Sequence, residues 1–414
     1  MKEIETASLC PVCRKRVPAE YTERKDGVYL VKTCAEHGAF ECLVWAGKGF
    51  NEWCDPWMPD TDSVPDCPDN CGLCAGHKNN TCCTILEITE KCNLSCPFCF
   101  ADGGKGEHMP FDKAKACIKD IYAQGRRYIH FGGGEPTIHP DILGLIAHAK
   151  AAGLEYIQLN TNGLMLANEP DFARKCKEAG ASCVFLQFDG TTDEIYEQTR
   201  GTALLDAKLR AIENCDKAEL GVILVPTLIP GINDDNIGEM IRFGAKNMPA
   251  VRGIHFQPVA YTGRYEPGRP HMTTPELLNA IEEQSYGMIR KADISPSSCD
   301  APLCGFHAEY RKKDGVLKPI SSRKSCCCGA ADVSYNQRYV LTKWTRVADG
   351  SYEPDSMDAV LKSLSDSTFC ISAMSFMDLD TIDLSRTMQC SISIYDSGKF
   401  IPLCNYNILW REPH

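Results

Sequence analysis

The stretch "TILEITEKCNLSCPFCFAD", residues 84–102, decides the reading of this chain. Its first residues, rich in β-branched side chains, read as a short buried strand. Three cysteines follow at once, Cys92, Cys96 and Cys99, separated by three and then two residues. A tetrahedral zinc and a cubane iron–sulfur cluster are both usually closed by four ligands, and this loop stops at three. A cubane held by three thiolates leaves one iron without a protein ligand, open to another molecule. The competing assignment is a zinc site completed by a distant ligand.

Outward from this loop, strand-like and helix-like segments alternate to about residue 290. "YIHFGG" (128–133), "EYIQLNT" (155–161), "CVFLQFD" (183–189), "LGVILVPTLI" (220–229) and "GIHFQPV" (253–259) are short runs of β-branched and aromatic residues. Between them, segments such as "FDKAKACIKDIYAQG" and "TALLDAKLRAIENC" place apolar residues near i, i+3, i+4 and i+7. Six βα units in a row predict an α/β fold with a parallel sheet, doubly wound or curved into a barrel. The active face then lies at the C-terminal ends of the strands, where the three cysteines sit.

Composition sets the surroundings. A chain of 414 residues exceeds one usual core, so a large domain with appended modules is expected. A formal charge of −11 argues against nucleic acid, whose phosphates call for a basic surface. No apolar run is long enough to span a bilayer, and the start lacks the apolar core of a signal peptide, which predicts a cytosolic protein without an integral membrane segment. Cysteine is the excess, 25 residues, and in a reducing compartment clustered thiols bind metal rather than pair as disulfides. Cys117, Cys176, Cys183, Cys215 and Cys370 stand alone and read as packing.

After the second strand comes "FGGGEPT", residues 131–137, with glycines that let a backbone approach a ligand and a carboxylate at Glu135. "CNLSCPFC" followed by "GGGEPT" resembles the radical S-adenosylmethionine superfamily. The resemblance implies a partial (β/α)6 barrel in which Cys92, Cys96 and Cys99 hold a [4Fe–4S] cluster and its open iron binds S-adenosylmethionine. One electron then cleaves the sulfonium, giving a 5′-deoxyadenosyl radical that abstracts hydrogen from an unactivated carbon, with flavodoxin or ferredoxin as electron donor. By the same resemblance Phe98 touches the adenine, and Gly132, Gly133, Gly134 and Glu135 meet the methionine end. Asn160 in "LNTNG" and Asp189 in "QFDG" contact the ribose or carboxylate.

Further cysteine groups flank the core, whose span is 84–295. Within residues 1–60, "LCPVC" (Cys10, Cys13) and "KTCAEHG" (Cys34, His37) read as a knuckle for one zinc or iron. Its fourth ligand is open among His37, Cys42 and Cys54, with Cys54 the one expected beside the three cysteines. Residues 61–83 pack Cys67, Cys71, Cys74, Cys82 and Cys83, a density that suits an iron–sulfur cluster, with His77 as a hydrogen-bonding neighbour. In 296–414 the expected ligands are Cys299, Cys304, Cys326, Cys327 and Cys404, and at least one thiol of Cys326, Cys327 and Cys328 is a bystander.

This order of groups, ending in "FIPLCNYN", resembles the tetraether lipid synthase group and its methylase-like relatives. The resemblance implies two auxiliary [4Fe–4S] clusters and a rubredoxin-like mononuclear site. It implies carbon–carbon bond formation or methyl transfer on a lipid or pterin-like small molecule. A peptide-modifying radical maturase and a non-enzymatic electron-transfer module are the alternatives.

Overall fold

A computed structural model describes residues 4–55, 57, 59, 67–72, 74, 76–266, 269–297, 299–320, 337–338, 341–346 and 356–411. Four strands open the chain: β1 (Ile4–Leu9), β2 (Arg16–Arg24), β3 (Gly27–Cys34) and β4 (Gly38–Ala46). They pair antiparallel in chain order as a sheet of their own. Val17, Ala19 and Tyr21 alternate into its buried side, the period of a sheet with one solvated face. A short helix, α1 (Phe50–Cys54), packs Phe50 and Cys54 with Tyr21 and Trp45.

The central array consists of β5 (Cys83–Thr89), β6 (Tyr128–Gly133), β7 (Tyr156–Thr161), β8 (Cys183–Gln187), β9 (Gly221–Val225) and, after the short β10 (Thr227–Leu228), β11 (Val251–Pro258). Apart from β10, which pairs only with β11, these strands are parallel neighbours in chain order, the expected partial barrel. "LGVILVPTLI" is two strands rather than one, because Pro226 between them has no N–H for a ladder.

Parallel neighbours need long crossovers. Helices α2 (Phe111–Ala123), α3 (Ile142–Ala151), α4 (Leu164–Asn168), α5 (Phe172–Ala179), α6 (Asp193–Arg200), α7 (Leu205–Lys217) and α8 (Ile237–Lys246) lie in them. Helix α2 buries Ala114, Ile118 and Ile121, one face of the helical repeat, in a continuous core with Leu86, Phe131 and Leu159 of the strands. Helix α9 (Thr274–Gln284) follows β11 and begins with a capping box between Thr273 and Glu276.

Residues 296–414, expected as a separate module, contribute strands to the same sheet instead. Past β12 (Ser295–Pro296) come β13 (Gly305–Lys313), β14 (Val316–Pro319), β15 (Thr368–Met374), β16 (Ile392–Asp396) and β17 (Lys399–Pro402). β15 pairs in parallel with β11, and β16 in parallel with β5. An open barrel leaves two rows of unpaired backbone groups, and these strands satisfy both. Residues 375–391 therefore run from one edge of the parallel array to the other as a strap. The N-terminal sheet docks on that strap: Thr6 Oγ1 donates to Asp383 Oδ1 at 2.7 Å, the Tyr21 hydroxyl donates to the other oxygen, and Ser8 Oγ donates to the Ile382 carbonyl at 2.5 Å. Among the described residues no helix is long and apolar enough to cross a membrane.

Candidate active site and metal-binding groups

Cys92, Cys96 and Cys99 lie on the loop after β5 and line a cavity of about 270 Å³ at the C-terminal ends of the strands. Backbone N–H groups of Leu94 and Gly103 donate to the sulfurs of Cys92 and Cys99 at 3.5 and 3.4 Å. Arg264, past β11, pins the loop: it exchanges backbone hydrogen bonds with Cys99 at 2.9 Å each way, and its guanidinium donates to the Cys96 carbonyl and to Asp102.

Phe98, Gly132, Gly133, Gly134, Glu135 and Asn160 line the same cavity, so these expected positions do converge. Gly133 and Gly134 approach protein backbone rather than open space. A Cβ on Gly133 would stand 2.1 Å from the Thr89 carbonyl oxygen, and one on Gly134 2.2 Å from that of Lys91. With no Cβ the two loops dock, Gly134 N–H donating to Thr89 O and Glu135 N–H to Lys91 O, each at 2.8 Å. Glu135 Oε1 accepts from Thr137 and Thr161, while among the described residues Oε2 accepts the Asn162 N–H alone, at 2.7 Å, and keeps a lone pair.

Asp189, expected to contact the ribose or carboxylate, does not line the cavity. It is fully buried, with its oxygens taken by Arg200, Gln187, Thr199 and the Thr227 N–H. Arg200, at the end of α6, lines the cavity and donates to Asp189 through Nε at 2.5 Å and Nη2 at 2.8 Å. Its charge also bears on the Cys96 thiol, whose pKa burial raises and Arg200 lowers. Sequence carried no marker for Arg200, an ordinary last-turn helix residue. Lys208 was also missed, although a lysine on α7 one turn before Ala211 and Ile212 falls on a buried face. Burial pushes it down to about 7, and its Nζ donates to the Asn162 carbonyl at 2.5 Å and to Gln187 at 2.8 Å.

The sulfurs discriminate between one ion and a cluster. Around a tetrahedral zinc with bonds of about 2.3 Å, thiolates stand about 3.8 Å apart. Among the described residues, one all-cysteine/histidine group meets within 4.8 Å: Cys10, Cys13, Cys34 and His37. His37 follows Cys34 in the tight turn into β4, and its Nδ1 lies 3.5 Å from Cys34 Sγ and 3.6 Å from Cys10 Sγ. Cys54 is not part of this group; on α1 it packs with Tyr21 and Phe50, and burial pushes its thiol up to about 12. Cys42 instead meets His271 Nδ1 at 3.6 Å. Cys92, Cys96 and Cys99 line one cavity but do not all meet within 4.8 Å, so they are not gathered around a single ion, whereas a cubane spreads its thiolates over separate irons. Burial pushes the bare Cys92 thiol up to about 11, so a thiolate there calls for a metal.

The remaining cysteines fall into three sets. Cys67, Cys71 and Cys74 line one small cavity with His77, and Asn405 Nδ2 donates to Cys71 Sγ at 3.5 Å. Cys304 and Cys404 line another with Cys390, which was not among the expected ligands, and Arg386 Nε donates to Cys304 Sγ at 3.4 Å. Cys83 and Cys299 belong with Cys82 at the lower end of the barrel. Cys326, Cys327 and Cys328 lie outside the described residues.

Residues 86–244 match the Radical SAM superfamily, and residues 4–46 match the HMPTM N-terminal zinc ribbon domain. The chain is 34% identical to a 7,8-dihydro-6-hydroxymethylpterin dimethyltransferase of Methanocaldococcus jannaschii, over 99% of this chain and 94% of that protein. It is 28% identical to a GTP 3′,8-cyclase of Peptoclostridium acidaminophilum over 59% of this chain and 72% of that one. A solved structure of Streptococcus suis SuiB bound to its precursor peptide SuiA matches with a TM-score of 0.42 at 14% identity, over 50% of this chain and 46% of that one. With a relative at 34% identity spanning nearly the full length, and the cysteine triplet opening on the barrel cavity, the chain belongs to the radical S-adenosylmethionine superfamily and is an enzyme that cleaves S-adenosylmethionine.

Proposed function

We propose that this enzyme transfers methyl groups to a pterin-like small molecule by radical chemistry, the carbon coming from a second donor, either a further S-adenosylmethionine or a reduced one-carbon carrier, because cleavage to 5′-deoxyadenosine leaves the first molecule's methyl on methionine. The observation that carries the reading is the near full-length similarity to the Methanocaldococcus jannaschii pterin dimethyltransferase. That similarity favours the methylase-like side of the expected group over lipid coupling.

In this reading Cys92, Cys96 and Cys99 hold the [4Fe–4S] cluster, and Phe98, Gly132 to Glu135, Asn160 and Arg200 receive S-adenosylmethionine. When bound, the cluster supplies one electron that breaks a carbon–sulfur bond of S-adenosylmethionine, delivered in the cell by flavodoxin or ferredoxin. The free lone pair of Glu135 Oε2 suits an ammonium group, and the Arg200 guanidinium, held by Asp189, suits a carboxylate. Phe98, buried against Ile229 and Val259, offers an apolar face to adenine and excludes water. Cys10, Cys13, Cys34 and His37 would hold zinc as a closed structural site. Cys67, Cys71 and Cys74, and separately Cys304, Cys390 and Cys404, are the best-gathered sets for two auxiliary clusters.

The test is anaerobic incubation of reconstituted enzyme with S-adenosylmethionine, reductant, a reduced one-carbon carrier and 7,8-dihydro-6-hydroxymethylpterin, followed by mass spectrometry. Formation of 5′-deoxyadenosine together with a methylated pterin is expected. Cleavage of S-adenosylmethionine with the pterin mass unchanged would overturn the substrate assignment.

A further inference from the structure

Beneath the site, toward the N-terminal ends of the strands, the barrel holds a second chamber of about 190 Å³. Ile85, Asn160, Phe185 and Gln257 line both this chamber and the upper cavity, so the two adjoin inside the barrel. Drug-sized ligands occupy pockets of about 300–1,000 Å³, so this chamber is cut for something smaller.

Its walls are aromatic. The Phe185 ring lies 5.0 Å from Trp344, 5.5 Å from His255 and 6.1 Å from His130, centroid to centroid. Such rings offer faces and edges to a flat π-system. Burial pushes His130 down to about 3 and His255 to about 4, so both stay neutral and the wall carries no imidazolium charge.

A buried glutamine sets the polarity of that wall. Gln158 Oε1 accepts from the Tyr156 hydroxyl at 3.1 Å, and its Nε2 donates to His130 Nδ1 at 2.9 Å and to Asn160 Oδ1 at 2.7 Å. An amide nitrogen can only donate, so His130 Nδ1 is the acceptor and the ring proton sits on Nε2. The second bond, to Asn160 Oδ1, turns that amide so that its Nδ2 is the group left over. Trp344 adds a third donor: its Nε1 is buried and has no hydrogen-bond partner among the described residues. Buried polar groups are almost always paired, and a ligand in the chamber can supply the acceptor for this donor.

We infer that the lower chamber is the substrate subsite: it seats a small, neutral, bicyclic heteroaromatic ring against Phe185, His255 and Trp344, with N–H groups of His130, Asn160 and Trp344 reading its ring nitrogens and carbonyl. Gln158 is the positioning residue that fixes two of those donors. That the ring is a pterin rests on the proposed function.

Equilibrium dialysis of the anaerobically reconstituted holoenzyme against 7,8-dihydro-6-hydroxymethylpterin tests this with Trp344→Phe and His130→Phe, each of which removes a donor and keeps an aromatic ring. Each variant should weaken binding about 3- to 10-fold, the worth of one hydrogen bond. Wild-type affinity in both variants would overturn the subsite while leaving the pterin reading intact, whereas failure of the wild-type enzyme to bind the pterin would overturn both. Photolabelling of the unaltered enzyme with 6-azidopterin does not depend on the variants folding. Label on peptides bearing His130, Asn160, Phe185, His255 or Trp344 supports the subsite, and label confined to other peptides overturns it.

Discussion

The N-terminal sheet and the cysteine loop of the barrel both present a Cys-x2-Cys pair, yet they gather thiols on different terms. In the sheet, Cys10, Cys13, Cys34 and His37 come from two tight turns and meet within 4.8 Å, leaving no direction around a central ion free. In the barrel, Cys92, Cys96 and Cys99 come from one loop, stand wider apart and face a cavity of about 270 Å³. The segment that could have brought a fourth ligand there is Gly132 to Glu135, three glycines and one carboxylate already tied to Thr137, Thr161 and Asn162. Whether a thiol site is closed or open therefore depends on what the rest of the fold places opposite it, not on the spacing of its cysteines.

Cys96→Ala strikes the open site and should have the largest effect. Production of 5′-deoxyadenosine should fall to background, while metal analysis still finds the ion held by Cys10, Cys13, Cys34 and His37. Retained cleavage would break the distinction between the two sites.

The open site also leans on a buried ion pair that the closed one lacks. Asp189→Asn keeps the shape but leaves the Arg200 guanidinium, 8% exposed, without its counter-charge. Removing one partner of a buried pair costs on the order of 3 kcal/mol, to be read as a lower temperature of thermal inactivation together with a raised KM for S-adenosylmethionine. Replacing both, as Asp189→Leu with Arg200→Met, should restore much of the stability and none of the affinity. An unchanged KM in both variants would show that Arg200 does not reach the cosubstrate.

These outcomes bear on what the sequence could disclose. The cysteine triplet was legible because its members share one loop after one strand, and the parallel strands because burial on both faces makes them apolar throughout. Contacts assembled across the fold were not. "QFDG" after a strand made Asp189 resemble a ligand, but only the structure reveals that Arg200 from α6 consumes it. Cys390 joins Cys304 and Cys404 from three different segments, and nothing local to any of them announces the set. Cys54 failed for the converse reason: it lies near the knuckle in sequence, but α1 turns it into the core beside Tyr21.

The closed site is sharpened by a milder pair of variants. His37→Ala should lose the ion on dialysis against a chelator, because three thiols leave the site open, whereas Cys54→Ser should keep it. Zinc quantified by a colorimetric chelator separates the two, and loss of metal in the Cys54 variant would return that residue to the ligand set.

The smallest expected effect concerns the contact between the two regions. His271 Nε2 lies 2.7 Å from Asp378 Oδ2 on the strap, and its Nδ1 faces Cys42 of β4 at 3.6 Å. Burial opposes charge on His271, but Asp378 and Cys42 outweigh it and raise the imidazole from 6.5 to about 10. Burial likewise opposes the Asp378 carboxylate, and His271 outweighs it, holding that group down at about 2. A raised histidine contributes stability that is complete below its unfolded value of 6.5 and is lost as pH climbs through about 10. A depressed aspartate contributes above 3.8 and loses its share as pH falls through about 2. The pair should therefore stabilise fully between about pH 4 and 6.5 and fade on the alkaline side. His271→Gln keeps a donor without the charge, and the quantity to follow is the wild type's inactivation temperature minus that of the variant. That difference should shrink steadily between about pH 7 and 10. A gap constant across the range would mean that the imidazole is neutral and that the two regions are joined by shape and hydrogen bonding alone.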